Sequence, residues 1–366
     1  LHLSIRRQRQ MCIRDSANSV LAIKASTGEL AWHYQTIHHD IWDWDLPTHP
    51  MLVDITTEEG KTPIVIQLGK TGMVYTFHRD TGDPYFEIEE RPVPTDGILG
   101  DQLSPTQPFP IKPPPLVRQG ITPDDAWGVT RYEREACRKI IAGSRYGGMF
   151  TPMSTKGTVM YPQVGGGSNW GGGAFDPERN ILVVPVSQVP FYVRLIPADQ
   201  VDKTKARDPR AGNPMGPPGL IKGTDYGLEQ KAVLSPLFSP CTAPPWSLMV
   251  AVDMISGDIL WKTPFGKIDQ LSPLPIGFEW GTPFAGGAIT TAGGVVFIGA
   301  TADERFRAFD VSTGKKLLEI KAPTSAMASP MTYMANGKQY VVIATGGHMW
   351  NYPKGISDEI IAYALP

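Results

Sequence analysis

The stretch AVDMISGDILW, residues 251–261, reads as strand, tight turn, strand, and the same phrase recurs as AIKASTGELAW at 22–32 and AFDVSTGKKLL at 308–318. TFHRDTGDPYF at 76–86 is a degenerate copy, and AFDPERNILVV at 174–184 is another, with Asn180 in the glycine position. The Thr-Gly or Ser-Gly step supplies a residue that tolerates positive φ, and a nearby Asp or Thr side chain can cap the turn. Further β-rich runs accompany these hairpins: TPIVIQLG at 62–69, GTVMYP at 157–162, GGVVFIGA at 293–300 and KQYVVIATG at 338–346. Helical periodicity is nearly absent. Repeated hairpins ending in an aromatic residue or leucine suit packing between blades, and radial closure removes sheet edges that would otherwise pair promiscuously. The pattern therefore predicts an all-β β-propeller of four-stranded antiparallel blades. The repeats start at 22, 76, 174, 251 and 308, so several intervals exceed the roughly 40–50 residues of one blade. Five to six blades are expected in this chain, with long inserted loops near 90–145 and 197–245. A short helix is expected at 123–141, and the stretches PFPIKPPPL (108–116) and DPRAGNPMGPPG (208–219) read as loop.

Composition sets outer bounds. With 366 residues, 41% hydrophobic and 19% charged, the chain is ordinary globular material rather than a disordered one. A formal net charge of -2 gives no basis for a nucleic-acid partner, and no run of 18 apolar residues is present. Cys12, Cys137 and Cys241 form no CxxC pair; Cys137 and Cys241 are either a disulfide or two unrelated buried thiols. The opening residues 1–16, LHLSIRRQRQMCIRDS, carry four arginines without an apolar signal core and read as a non-native leader, leaving 17–366 as the propeller.

Three segments carry chemistry. TIHHDIWDWDLPTHP at 36–50 gathers His38, His39, Asp40, Asp43, Asp45 and His49 around Trp42 and Trp44. In an extended strand the two tryptophans would share one face and Asp43 and Asp45 the other. Such a carboxylate pocket suits proton abstraction or a hard cation; Asx turns and satisfied histidines at a blade edge are the plainer alternative. In QLGKTGMVY at 67–75, Lys70 stands at a strand end, where a cation can neutralise a carboxylated cofactor or a developing oxyanion. The segment lacks the upstream glycines of a Walker A loop. In VGGGSNWGGGAFD at 164–176, two glycine triplets flank Ser168, Asn169 and Trp170. Glycines admit a flat ligand closely, Asn169 offers an amide and Trp170 a stacking face. His348 and Trp350 form a weaker candidate near the last repeat.

HHDIWDWDLP, GKTG, GDQLSPTQPFP (100–110), SNWGGGAFDP, ITTAGGVVFIGATAD (289–303), PMTYMANGKQYVVIATGGH (330–348) and IIAYALP, in this order and spacing, resemble the membrane-bound pyrroloquinoline-quinone (PQQ) dehydrogenases of the glucose, quinate and shikimate group. The resemblance runs from about Ser19 to Pro366 and reads as the C-terminal part of the propeller only. It implies an eight-bladed periplasmic propeller in the intact protein. It also implies an N-terminal membrane anchor absent from this chain, PQQ near the axis with Ca²⁺ or Mg²⁺, and transfer of two electrons to ubiquinone. By position Asp43 resembles the catalytic aspartate and Lys70 the cofactor-contacting lysine, while Asn169 and Trp170 fall in the cofactor-side glycine segment. Some relatives place a cofactor-facing asparagine near 184–187, where this chain reads VPVS. The implied activity is oxidation of an aldose, glucose first, to its lactone. Quinate or shikimate oxidation is the close alternative, and a non-enzymatic propeller scaffold is the alternative of another class. The chain by itself is expected to be inactive.

Overall fold

The computed structural model describes residues 17–98, 102–202, 218–221, 223–269, 277–348 and 355–365. The leader 1–16, residues 208–217 of the Gly/Pro-rich stretch and Trp350 lie outside the described residues. The first repeat forms a hairpin of β1 (Ser19–Ile23) and β2 (Leu30–Gln35), followed by a meander of β3 (Met51–Thr57), β4 (Gly60–Leu68) and β5 (Val74–His78). β6 (Ile88–Pro92) pairs with β7 (Thr106–Pro110), and the short β8 (Gly120–Ile121) and β9 (Gly147–Gly148) bracket helix α1 (Arg131–Gly143). Two four-stranded sheets then interleave along the chain. One is built from β10 (Thr158–Met160), β13 (Phe191–Pro197), β14 (Gly219–Leu220) and β15 (Tyr226–Ala232); the other from β11 (Ala174–Asp176), β12 (Ile181–Ser187), β16 (Ser247–Asp253) and β17 (Ile259–Pro264). A third four-stranded sheet follows in chain order: β18 (Ala288–Thr291), β19 (Val295–Ile298), β20 (Arg305–Asp310) and β21 (Lys316–Lys321). β22 (Met331–Ala335), β23 (Lys338–Ala344) and β24 (Ile360–Ala364) close the described chain as a three-stranded sheet.

The all-β, multi-bladed propeller architecture is present, but the expectation of five to six blades is corrected: among the described residues the strands form eight sheets, three of them four-stranded. The reason lies in the insertions. Within 90–145 and 197–245, both read as loop, the structure pairs β6 with β7, β8 with β9, and β14 and β15 with β13. Pro108 and Pro110 are tolerated in β7 because its sheet has two strands, so each strand keeps an open edge. GTVMYP likewise joins β13 rather than the neighbouring AFD strand. The expected helix at 123–141 divides into a 3₁₀ turn at Pro123–Asp125 and α1, which Thr130 and Glu133 start with a capping box.

The repeat phrase does what its residues dictate. Gly28, Gly82, Gly257 and Gly314 sit at φ between 69° and 78°, and Asn180 at 54°. Asp310 Oδ1 accepts from the backbone N–H groups of Ser312 and Thr313, holding its turn shut. Three terminal aromatics, Trp32, Phe86 and Trp261, then dock on the glycine of another repeat. A methyl group at Gly82 would meet the Trp32 ring at 2.6 Å, one at Gly314 the Trp261 ring at 2.6 Å, and one at Gly257 the Phe86 ring at 3.1 Å. The indoles lock with Trp32 Nε1 donating to Arg79 O and Trp261 Nε1 to Val311 O, both at 2.9 Å.

β12 shows how the core is layered: every residue from Ile181 to Ser187 is buried. Leu182, Val184 and Val186 pack with Ile64, Ile66 and Leu68 of β4, whereas Ile181 and Val183 pack with Val296 and Ile298 of β19. A strand buried on both faces reads as a continuous apolar run, and each such side chain contributes about 1.5–3 kcal/mol. Cys137 of α1 and Cys241 form a disulfide, resolving the alternative left open above. Among the described residues, no helix is long and apolar enough to cross a membrane.

Candidate active site

The segment after β2 leaves the extended conformation, so residues 40–48 form no strand. Asp40 Oδ1 accepts from Trp42 N at 2.8 Å in an Asx turn, and His39 and Asp43 take φ of 47° and 69°. The inward and outward alternation is nevertheless present. Trp42 and Trp44 are buried at 1% and 0% exposure, with Trp42 Nε1 donating to Thr151 O and its ring edge-on to Phe150. Asp43 faces outward.

Lys70 follows β4 in a turn closed by Gly72 N donating to Gly69 O at 3.0 Å. Its backbone N–H donates to Asp45 O at 3.2 Å, which ties the turn to the WDWD segment. The ammonium lies 2.7 Å from Asp43 Oδ2 and 2.5 Å from Asp45 Oδ1. The Lys70 side chain is 11% exposed, against 67% for Asp43 and 41% for Asp45. Loss of solvent and the neighbouring Asp45 carboxylate hold the Asp43 carboxyl above the usual aspartate range, outweighing the pull of Lys70. Burial alone would lower Lys70, but the two carboxylates paired with it raise it above the ordinary lysine value. The two carboxylates therefore favour the charged ammonium.

The glycine segment covers this turn. Gly167 N donates to Lys70 O at 2.7 Å, and Gly166, at φ 82°, passes so close that a methyl group there would lie 2.5 Å from Lys70 Cα. Ser187 N, at the end of β12, donates to Gly167 O at 2.8 Å, so the loop is fixed on both sides. Asn169 spends its amide inside the loop, with Nδ2 donating to Gly165 O at 2.6 Å and Oδ1 accepting from Trp170 N at 2.8 Å. Trp170 stands 77% exposed beside it.

The structure thus joins Asp43, Lys70 and the glycine loop, while His38 and His49 go elsewhere. His38 contacts Gln35 Oε1 at 2.7 Å and Glu90 Oε1 at 3.0 Å, and His49 lines a separate open cleft of about 770 Å³ with Asp54, Lys61 and Glu178. At 184–187, Val184 and Val186 are core residues, and Ser187 Oγ accepts from Gln163 Nε2 at 3.0 Å. Sequence reasoning gave no individual role to Asp45 or Ser168. The two-residue spacing of WDWD was the available signal for Asp45, whereas nothing in the glycine run marks Ser168.

The residues present fit a flat quinone rich in acceptor oxygens. The indole N–H of Trp44 and the Ser168 hydroxyl are buried without a hydrogen-bond partner among the described residues, and both are donors. Lys70 adds a fixed cation, and the glycines at 166 and 167 let backbone approach. Among the described residues no cluster of three or more His, Cys, Asp or Glu side chains forms a metal-ligand set, so Ca²⁺ or Mg²⁺ rests on the family resemblance.

Comparison with known proteins places the chain in a family. Residues 6–341 match the PQQ family described as glucose/ethanol/alcohol dehydrogenase, beta-propeller domain. The chain is 40% identical over 369 residues to the quinoprotein glucose dehydrogenase of Escherichia coli strain K12, covering 96% of this chain and 44% of that one. It is 38% identical over 355 residues to a probable quinate dehydrogenase (quinone) of Xanthomonas campestris pv. juglandis, covering 95% and 45%. The chain therefore spans less than half the length of these relatives. The crystal structure of a quinohemoprotein alcohol dehydrogenase from Comamonas testosteroni superposes with a TM-score of 0.54 at 24% identity, over 90% of this chain and 39% of that one, a likeness of fold. The match from residue 6 corrects the reading of the resemblance as starting near Ser19 and being only the C-terminal part of the propeller: the family domain spans nearly the whole chain. Short quoted words locate the strongest similarity, whereas the family pattern also registers the weaker similarity around them. The chain belongs to the PQQ-dependent glucose/ethanol/alcohol dehydrogenase β-propeller family.

Proposed function

We propose that this chain forms the catalytic propeller of a quinoprotein dehydrogenase that oxidises an aldose, glucose first, to its lactone and passes the electrons to ubiquinone. The observation that carries this reading is the Lys70 ammonium held 2.7 Å from Asp43 and 2.5 Å from Asp45 beneath a glycine loop. Asp43 is the base. Its carboxylate is exposed enough to meet a substrate hydroxyl, and its raised pKa favours holding the proton it receives. General base assistance of this kind contributes roughly 10²–10⁴-fold in rate. Lys70 supplies a fixed positive charge toward the cofactor oxygens, where donors placed in advance cost little reorganisation. Trp44 and Ser168 offer donors, Asn169 holds the loop in shape and Trp170 presents a stacking face. PQQ, when bound, supplies the two-electron acceptor, and Ca²⁺ or Mg²⁺ is its implied companion. We place the domain on the periplasmic face of the inner membrane, anchored by an N-terminal region, and the Cys137–Cys241 disulfide suits such an oxidising compartment.

Quinate or shikimate is the second reading, favoured by the 38% identity to a probable quinate dehydrogenase. A non-enzymatic scaffold would have no use for a buried ammonium shared between two carboxylates. The test joins the chain to the remaining length its relatives carry, loads it with PQQ and Ca²⁺, and measures dye-linked oxidation of glucose, quinate and shikimate. Glucose turnover that disappears in Asp43→Ala is expected, while the chain alone is expected to be silent. Preference for quinate would replace the substrate, and full activity of Asp43→Ala would end the reading.

A further inference from the structure

We infer that Asp45 is a positioning residue of this site: it anchors Lys70 and so leaves Asp43 the freedom to take up and release a proton. The inference rests on the roles proposed for Asp43 and Lys70. Asp45 holds Lys70 twice, through its backbone oxygen at 3.2 Å from Lys70 N and through Oδ1 at 2.5 Å from Nζ. Asp43 holds it once, from a more exposed side chain. The adjoining backbone is packed as well, since a methyl group at Gly69 would meet Leu46 Cδ2 at 3.0 Å and Asp45 O at 3.7 Å. Asp45 Oδ1 is out of solvent without a well-aligned hydrogen bond, so the ammonium is the charge that compensates it. Withdrawing Lys70 would leave that oxygen buried and uncompensated.

Charge counting assigns the two carboxylates different work. One ammonium between two carboxylates leaves a single negative charge, which a proton can cancel. Asp40, the third acid of the segment, is also raised by burial, but its two oxygens already accept from Asn18 Nδ2 and Trp42 N, both at 2.8 Å, which favours its charged form. Asp43 is the exposed member and its carboxyl is already pushed up, so the proton goes there. Lys70 then stays bound to Asp45 throughout, and its aim does not depend on whether Asp43 is charged.

The test titrates the Asp43 carboxyl by ¹³C NMR in the cofactor-free chain as wild type, Asp45→Asn and Asp45→Glu. Removing the like charge and giving Lys70 wholly to Asp43 should lower the Asp43 midpoint by about one unit or more in Asp45→Asn. Asp45→Glu keeps the charge and should stay within about half a unit of wild type. An unchanged midpoint in Asp45→Asn, or equal shifts in both variants, overturns the inference. Should Asp45→Asn fail to fold, wild type alone decides: Lys70 ammonium protons must remain protected from exchange once Asp43 is protonated, and their release overturns it. Failure of the underlying reading shows itself separately, as undiminished dehydrogenation by Asp43→Asn or undiminished PQQ binding by Lys70→Ala in the full-length protein.

Discussion

Replacing Glu319 with glutamine tests whether the ion cluster on β20 and β21 contributes to stability. Glu319 lies 3.1 Å from Arg307, 2.8 Å from Lys316 and 3.5 Å from Arg305, and also contacts Lys267. Burial opposes its charge, but these cations prevail and bring the carboxyl down from 4.5 to about 2. At about 1.36 kcal/mol per unit, that shift corresponds to roughly 3 kcal/mol of stability. Glu319 keeps contact with solvent, so screening reduces the expected figure to about 1–2 kcal/mol. The folded-state value lies below the unfolded one. The contribution is therefore complete above pH 4.5 and is lost as the pH falls toward about 2. Urea unfolding of wild type and Glu319→Gln should differ by about 1–2 kcal/mol at pH 7 and converge as the medium is acidified through that window. A difference that stays constant with pH would mean glutamine is mispacked rather than uncharged, and the electrostatic reasoning would fail. A difference below about 0.5 kcal/mol at pH 7 would refute it as well.

Three further outcomes are expected. The acid limb of kcat/KM in the loaded full-length enzyme should lie above the ordinary aspartate range, because Asp43 must be deprotonated to act and its carboxyl is raised; a limb at the ordinary value would remove Asp43 as the base. Reducing the Cys137–Cys241 bond, which closes a separation of 104 residues, should cost about 2–4 kcal/mol in urea unfolding, and an unaltered midpoint would exclude it as a staple. Gly166→Ala should weaken PQQ binding measured by fluorescence, since the methyl must displace Lys70 Cα from 2.5 Å at φ 82°; unchanged affinity would show that the loop relaxes without moving the lysine.

The repeats were legible because local chemistry alone decides them: a residue that accepts positive φ, a side chain that caps the turn, and a large apolar residue four positions on. Gly82 and Asn180 adopt that conformation even in the degenerate copies. The extra sheets were hidden by the same logic. Proline and glycine in 90–145 and 197–245 argue for loop, yet β7 needs few donors at its edge and β15 is held by β13, a partner that sequence order does not reveal. At the site, WDWD and GKT could be recognised as words, but their approach depends on Lys70 N meeting Asp45 O across a turn. The alternation of Trp42 and Trp44 against Asp43 was foreseen through a strand that does not exist. An Asx turn and positive φ at Asp43 produce it instead.

The seating of Trp32, Phe86 and Trp261 on the glycines of other repeats works like dowels in a joint. Each dowel fixes the angle between its two hairpins locally, without reference to the chain that runs between them. The path from Phe86 to Gly257 can therefore lengthen, acquire strands and carry a helix while the frame keeps its alignment. Loops on that path can then vary without moving the hairpins at either end of it, provided that the glycine loop at 164–173 keeps its seat on Lys70.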